Sequence, residues 1–363
     1  MLLALLVASL LSASRLPGIT ESPHADEKLS RSDIEDPEWQ AFRKVLWLGH
    51  TGSGPFLLPP LPNDAALMYR VVRPLLPDGP RKISSFRLFF FWIRSPFILF
   101  GLWLGGALWW VTRRLYNNAG GYIALALYCS SGVIVSLSSH VNSEIIAAWG
   151  LFGIVYTAIG VAHTLYAPPY KWRPRILLLG TAFGITAGAH LSAALVGLAL
   201  AALFMLYLAP GRRIASLVIL AEASIIAFFI LWAFYGFGSA VFSVALPVMR
   251  FEPVLHRLNG SAAIALPPLF LVLIIGVVAF IAWPRTRYFG NWAPLVVFLL
   301  LVHLKFEGQD TFAWALPFAF VFVGGVFSDL LETRRHKLVA AIAVLCIAAQ
   351  EAITLLALLR YPH

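Results

Sequence analysis

Residues 171–213 read KWRPRILLLGTAFGITAGAHLSAALVGLALAALFMLYLAPGRR. Basic residues close both ends of this stretch, and no Asp, Glu, Lys or Arg occurs between Ile176 and Gly211. A helix needs about 20 apolar residues to cross the hydrocarbon core of a membrane, so the stretch is too long for one crossing. It predicts two short membrane helices, 176–189 and 191–208, that turn at His190.

The composition of the whole chain agrees with a membrane protein. Of its 363 residues, 60% are hydrophobic and only 12% are charged, which excludes an ordinary soluble protein. Both cysteines, Cys129 and Cys346, lie inside apolar runs, so neither a disulfide scaffold nor a CxxC metal site is expected. The net charge of +10 would suggest a nucleic-acid partner for a soluble protein. Here short loops hold many of the basic residues, and we expect no nucleic acid.

Short loops rich in Lys and Arg stay on the cytoplasmic side of a membrane, and an even number of crossings must separate neighbouring loops on one side. The basic loops are Arg113-Arg114, Lys171 to Arg175, Arg212-Arg213, Arg285 to Arg287, and Arg334 to Lys337. The sequence therefore predicts an all-α, polytopic protein with a single membrane domain, 1–363. Its eleven spans are 1–20, 95–113, 119–138, 144–166, 176–189, 191–208, 214–235, 261–283, 290–304, 312–331 and 338–359.

The first segment has two interpretations. Residues 1–20 form either a first span or a signal peptide that is removed, because small residues at 12–14 resemble a cleavage site. In both cases 21–86 is a long first extracytoplasmic loop. Asp36 and Pro37 are typical of a helix start, and they predict a helix near 37–48. This helix lies in the membrane interface or packs on the spans as a cover.

Each of the remaining loops that the topology places outside also contains ionisable residues. They lie at 140–144, at His190, at 250–257 and at 305–310. A transporter would instead place such residues near the bilayer midplane on broken helices. The acids inside spans are Glu222 and Glu351, which we interpret as polar anchors between helices. This distribution indicates chemistry on the extracytoplasmic face.

The order of features resembles the GT-C-fold glycosyltransferases that use polyprenyl-phosphate sugars, especially the protein mannosyltransferase type, glycosyltransferase family 39. The resemblance covers roughly 1–165 and depends on short motifs that follow one another in the family's order. They are Asp26-Glu27 after the first span, Leu58-Pro59-Pro60-Leu61, Arg87-Leu88, the basic turn Arg113-Arg114, the small-residue span 119–138, and Glu144 at the outer end of the next span. The chain departs from the family at His190, where many members have a lysine.

The resemblance implies an inverting glycosyltransferase that moves a hexose or pentose from a polyprenyl-phosphate donor to an acceptor outside the cytoplasmic (inner) membrane. Sugar transfer to a hydroxyl needs a base for the acceptor proton and cations for the leaving phosphate. Asp26 is the expected base, with Glu27 beside it, and Arg87 is the expected phosphate ligand. Further expected substrate-binding residues are Glu144, His190, Arg250, His256 and Arg257.

Each of these residues also has a structural interpretation. Asp26 and Glu27 could belong to a solvated acidic loop, Arg87 could snorkel to the interface, Glu144 could cap its helix, and His190 could serve a polar turn. No cluster has metal-ligand spacing, although Asp26 and Glu27 could hold a divalent cation. The alternatives for the whole chain are a non-catalytic membrane scaffold subunit with a GT-C-like fold and, third, a transporter or flippase.

Overall fold

The computed structural model describes residues 83–139, 142–234, 237, 241, 249–251, 262–306 and 311–360. This part of the chain is mostly helical and has one pair of short strands, β1 (Met249–Phe251) and β2 (Leu304–Phe306). The predicted first span and the helix near 37–48 lie outside it. Its helices are α1 (Ile83–Leu115), α2 (Asn118–Cys129), α3 (Gly132–Ser139), α4 (Ser143–Thr164), α5 (Arg173–Ala189), α6 (Leu191–Leu208), α7 (Arg213–Phe234), α8 (Ala262–Ala282), α9 (Phe289–His303), α10 (Thr311–Leu331) and α11 (His336–Arg360).

Six helical segments in the described ranges are long and apolar enough to cross a membrane. They are Arg94–Leu115, Ser143–Thr164, Leu191–Leu208, Pro210–Ala233, Thr311–Leu331 and His336–Thr354. Two shorter apolar helices are Leu269–Ala282 and Phe289–His303. This set is typical of an integral membrane protein. Every predicted span from 95–113 onward falls on described helices, while the number of eleven crossings stays a prediction.

The short basic loops lie together at one end of the helical bundle, which we call the basic end. Arg175, at the start of α5, donates to a backbone carbonyl near the end of α4 at 2.6 Å. Arg285, before α9, pairs with Glu332, which follows α10. Tyr116, just after α1, donates to the carbonyl of Gly290 in α9. The Tyr116 and Arg285 contacts bring the loops after α1, α8 and α10 to the same level. The ends of α1 and α4 meet where Leu115 and His163 line one crevice, and Arg212 lies over the Tyr166 ring, which joins the loops after α4 and α6.

The opposite end of the bundle, which we call the polar end, contains Glu144, His190 and the pair of short strands. Strand β1 pairs antiparallel with β2, with Arg250 opposite Lys305. The Phe306 ring lies 6.1 Å from that of Trp314 in the first turn of α10, and Trp314 in turn lies 5.8 Å from the His190 ring. The strand pair is therefore attached to the cluster around Glu144.

The two most buried spans are α10 and α4. In the apolar 18-residue segment of each span, 89% of the residues of α10 and 78% of those of α4 are buried. The two spans form the centre of the bundle. In contrast, only 22% of the residues are buried in the corresponding segments of α7 and α11, and these two helices lie at the periphery of the bundle. Because Glu144 and Trp314 are in the first turns of the two central helices, their side chains start from the best-packed part of the protein.

One predicted span is interrupted. We expected a continuous helix over 119–138, but α2 ends at Cys129 and α3 begins at Gly132. Serines at 130 and 131 compete for backbone hydrogen bonds, and two side chains of α11 occupy the carbonyls there. Gln350 donates to the Leu127 carbonyl at 3.0 Å, and Thr354 donates to the Ser130 carbonyl at 2.8 Å. The break is thus stabilised by packing against α11.

Candidate functional site

Glu144 starts α4, the second most buried span. The side chain of Asn142 caps this helix by accepting a hydrogen bond from the Glu144 backbone N–H at 2.8 Å. An Asn at this position satisfies a helix N–H that has no partner within the helix. The cap leaves the Glu144 side chain available for contacts with other helices.

The Glu144 carboxylate joins three parts of the chain. Its Oε2 accepts a hydrogen bond from the Trp314 indole N–H at 2.5 Å, and its Oε1 lies 3.4 Å from His190 Nε2. Glu144 is 7% exposed and Trp314 is fully buried. The helix-capping interpretation of Glu144 is therefore incomplete, because its side chain also connects α4 to α10 and to the α5–α6 turn.

His190 forms that turn, as the sequence predicted. Its backbone is extended, with φ −145° and ψ 113°, and it ends α5 and begins α6. The backbone still takes part in both helices: its N–H donates to the Thr186 carbonyl at 2.7 Å, and its own carbonyl accepts from Ala194 at 3.2 Å. The helical direction changes here without leaving these two groups unpaired.

The His190 imidazole is held in a mostly buried position. Ser143 Oγ lies 2.8 Å from Nε2, the same nitrogen that faces Glu144. Burial lowers the pKa of His190 to about 4, whereas the nearby carboxylate favours the protonated form. A proton relay from serine to acid uses both ring nitrogens of a histidine. Because Ser143 and Glu144 both approach Nε2, this geometry does not form such a relay.

Packing between α5 and α7 fixes the helix that presents His190. A Cβ on Gly180 would lie 2.7 Å from Ile226 Cβ, and one on Gly184 would lie 2.6 Å from Ile230 Cβ. Such distances are below ordinary contact, so only glycine allows the two helices to approach this closely. Gly180 and Gly184 therefore have a packing role.

Arg87 lies within a helix rather than at its start. We predicted a span over 95–113, but α1 begins at Ile83 and continues through Pro96. Arg94 follows Arg87 by seven residues, which places both positions on the same face of the helix. Arg94 is 2% exposed. Arg94 stands immediately before the predicted span 95–113, and a charge at the boundary of a span does not indicate a buried residue.

The remaining predicted site residues divide into two groups. Arg250 lies in β1, is exposed and stands opposite Lys305, so the strand pair places it at the polar end. Asp26, Glu27, His256 and Arg257 lie outside the described residues. The structure brings together Glu144 and His190 and adds Ser143 and Trp314, which the sequence analysis did not assign to the site.

Metal binding receives no support from the described ranges. Among the described side chains of residues 94–234 and 269–354, no three His, Cys, Asp or Glu side chains lie close enough together to hold a metal ion. A divalent cation held by Asp26 and Glu27 stays a prediction.

Comparison with known proteins gives no relative: the chain matches no protein-family model, no curated protein and no solved structure.

Proposed function

We propose that this protein is an inverting membrane glycosyltransferase of the GT-C type. It moves a hexose or pentose from a polyprenyl-phosphate donor to an acceptor hydroxyl on the extracytoplasmic side of the cytoplasmic membrane. The observation that carries the proposal is the buried cluster of Glu144, His190, Ser143 and Trp314 at the end of the bundle opposite the basic loops. If the basic end is cytoplasmic, this cluster lies where a lipid-linked sugar is presented outside.

The proposed reaction is a single displacement. The acceptor oxygen attacks the anomeric carbon, the bond from that carbon to the phosphate oxygen breaks, and the lipid phosphate leaves with the electron pair. Asp26 takes the acceptor proton, and Glu27 supports it. A phosphate is a good leaving group, so no second carboxylic acid is needed to protonate it.

Arg87 is the proposed phosphate ligand. The helical register supports this role, because Arg87 lies two turns before the buried Arg94 on one face of α1. Guanidinium groups remain ionised and match phosphate oxygens in pairs. Arg250, His256 and Arg257 are proposed to contact the donor headgroup or the acceptor from the loop that contains β1.

The polar cluster is proposed to shape the site rather than to react. Both Glu144 oxygens are near donors, and His190 is mostly buried. The cluster fixes the relative positions of α4, α10 and the α5–α6 turn, on which the donor pocket depends. Neutral His190 presents a hydrogen-bonding group at the position where many members of the resembled family carry a lysine.

The same cluster favours one alternative function. A carboxylate that is 7% exposed and contacts both an indole and an imidazole is also the anchor that a non-catalytic scaffold subunit would need. In that case the GT-C-like fold would serve assembly with partner proteins, and Asp26 and Arg87 would be dispensable.

Transfer of labelled sugar by the purified, reconstituted protein tests the proposal. The donors are one hexosyl and one pentosyl polyprenyl phosphate, with the lipid extract of the producing membrane as acceptor. We expect transfer by the wild type, its loss in Asp26→Asn, and its retention in Asp33→Asn, a matched control from the same acidic segment.

Different failures have different meanings. Equal transfer by Asp26→Asn and the wild type would remove Asp26 from the role of base. Absence of transfer by folded wild-type protein with both donors would overturn the enzyme and support the scaffold function.

A further inference from the structure

Helix α7 presents an acid on a face that no other described element covers. Glu222 is exposed, and it makes no hydrogen bond or ion pair with any residue that the structure describes. It follows Arg213, at the basic end, by nine residues, which corresponds to about 14 Å along the helix. Half the thickness of the hydrocarbon core is about 15 Å. Glu222 therefore lies close to the middle of the membrane.

The exposed residues around Glu222 have the spacing of a helix-packing stripe. They follow one another at intervals of four, three and four residues, and all are exposed: Val218, Glu222, Ile225 and Phe229. Residues at these intervals form one line along a helix, and a second helix packs along such a line. We call these four residues the α7 stripe. A different side of α7 already packs closely on the glycines of α5.

An acid at this depth needs a partner. An ionised carboxylate that faces lipid hydrocarbon is costly, and acids within membrane spans usually pair with another group or face a cavity. The other three residues of the α7 stripe are apolar and offer Glu222 no hydrogen bond. A Lys or Arg on a second membrane helix supplies the opposite charge at the same depth, while the apolar stripe residues supply the packing contacts.

The chain itself offers no such cation. In the predicted spans, Lys and Arg occur only at Arg15 and Arg113. Arg113 is at the basic end, and Arg15 is in the extracytoplasmic part of the predicted first span, 1–20. Basic side chains near the ends of spans extend toward the interface rather than the middle of the membrane. Neither the first span nor a second copy of the protein therefore brings a cation to the depth of Glu222.

From these features we infer that the α7 stripe binds a membrane helix of a different protein, which carries one Lys or Arg near the middle of the membrane, opposite Glu222. Helix α7 is at the periphery of the bundle, so a partner helix here leaves the polar end open. The contact serves an enzyme and a scaffold subunit alike, and the inference does not depend on the glycosyltransferase proposal.

Fluorescence energy transfer in liposomes measures this contact. The tryptophans of the reconstituted protein are the donors, and the acceptor is a dansyl group on a synthetic membrane helix of about 20 Leu and Ala residues with one central Lys. The same helix with Leu in place of Lys is the peptide control. The protein variants are Glu222→Gln, which removes the charge and keeps the shape, and Glu351→Gln. Glu351 is a matched control because it is the acid of the other peripheral span, α11.

We expect the wild type and Glu351→Gln to bind the Lys helix more tightly than the Leu helix. Glu222→Gln should bind the Lys helix roughly three- to tenfold more weakly than the wild type, as loss of one polar pair between membrane helices predicts. Equal binding of the Lys helix by Glu222→Gln and the wild type, or equal binding of both helices by the wild type, would overturn the inference. Sedimentation of the protein in detergent tests a second copy as the occupant: a dimer that Glu222→Gln dissociates would also overturn it.

Discussion

Removal of the Glu144 side chain is expected to destabilise the protein far more than removal of a similar exposed acid. In Glu144→Ala the Trp314 N–H loses its acceptor, and Trp314 is fully buried. An unsatisfied buried donor costs about 1–3 kcal/mol. Loss of the contact with His190 at 3.4 Å adds to this cost. The free energy of unfolding should therefore fall by at least about 1–3 kcal/mol.

The chain offers a matched control at the basic end. Glu332 contacts Arg285 at 3.2 Å, but the two side chains are 52% and 71% exposed. Exposed ion pairs contribute about 0–1 kcal/mol, so Glu332→Ala should change the free energy of unfolding by no more than that. Glu144→Gln should lie between the two Ala variants, because its side-chain oxygen can still accept from Trp314.

Reversible unfolding of the purified protein in mixed micelles, followed by tryptophan fluorescence and circular dichroism, measures these differences. Equal destabilisation of Glu332→Ala and Glu144→Ala, or a Glu144→Gln variant no more stable than Glu144→Ala, would contradict this role of the Glu144 carboxylate. A stable Glu144→Gln variant also permits a test of function. Normal sugar transfer by this variant would assign Glu144 to structure alone.

Two further predictions concern the surroundings of the same cluster. Burial holds the pKa of His190 near 4, below its unfolded value of 6.5, so the unfolded chain binds a proton between these pH values that the folded chain does not. The free energy of unfolding should fall by up to about 3 kcal/mol as the pH is lowered from 6.5 to 4, and attraction between Glu144 and protonated His190 reduces this fall. The His190→Gln variant should lose this part of the pH dependence. Parallel plots of unfolding free energy against pH for the variant and the wild type would contradict the prediction. Gly150→Ala should destabilise by about 1–3 kcal/mol, because the new Cβ would lie 1.7 Å from Thr186 Oγ1. Gly153 lies one turn away, and a Cβ there would meet Ala182 Cβ at an ordinary 3.8 Å. Gly153→Ala should therefore be neutral or stabilising by up to about 1 kcal/mol. Equal thermal stability of the two variants would contradict the packing of α4 on α5.

Span length and basic loops were sufficient to predict where most helices begin and end. The turn at His190 followed from an apolar stretch that was too long for one crossing. The position of Glu144 at a helix start was also predicted, because capping depends on residues close in sequence. These features are local, and for this reason a single sequence was enough to predict them.

Other features depend on residues that are distant in the chain. The serines at 130 and 131 weaken the helix locally, but the Gln350 and Thr354 side chains that stabilise its break come from α11, more than 200 residues away in the chain. The partner of Glu144, Trp314, lies 170 residues away. The β1 and β2 strands are three residues each, too short to give an alternating pattern. Such contacts arise from helix packing, which local periodicity does not specify.

The membrane orientation of the two ends is the premise on which the proposed function depends, and cysteine labelling tests it most directly. Lys305→Cys at the polar end and Arg334→Cys at the basic end replace exposed residues, while Cys129 and Cys346 are buried. With a membrane-impermeant maleimide, we expect Lys305→Cys to react in intact cells and Arg334→Cys to react only after permeabilisation. Reaction of Arg334→Cys alone in intact cells would contradict an extracytoplasmic polar end, and reaction of both variants there would contradict a cytoplasmic basic end.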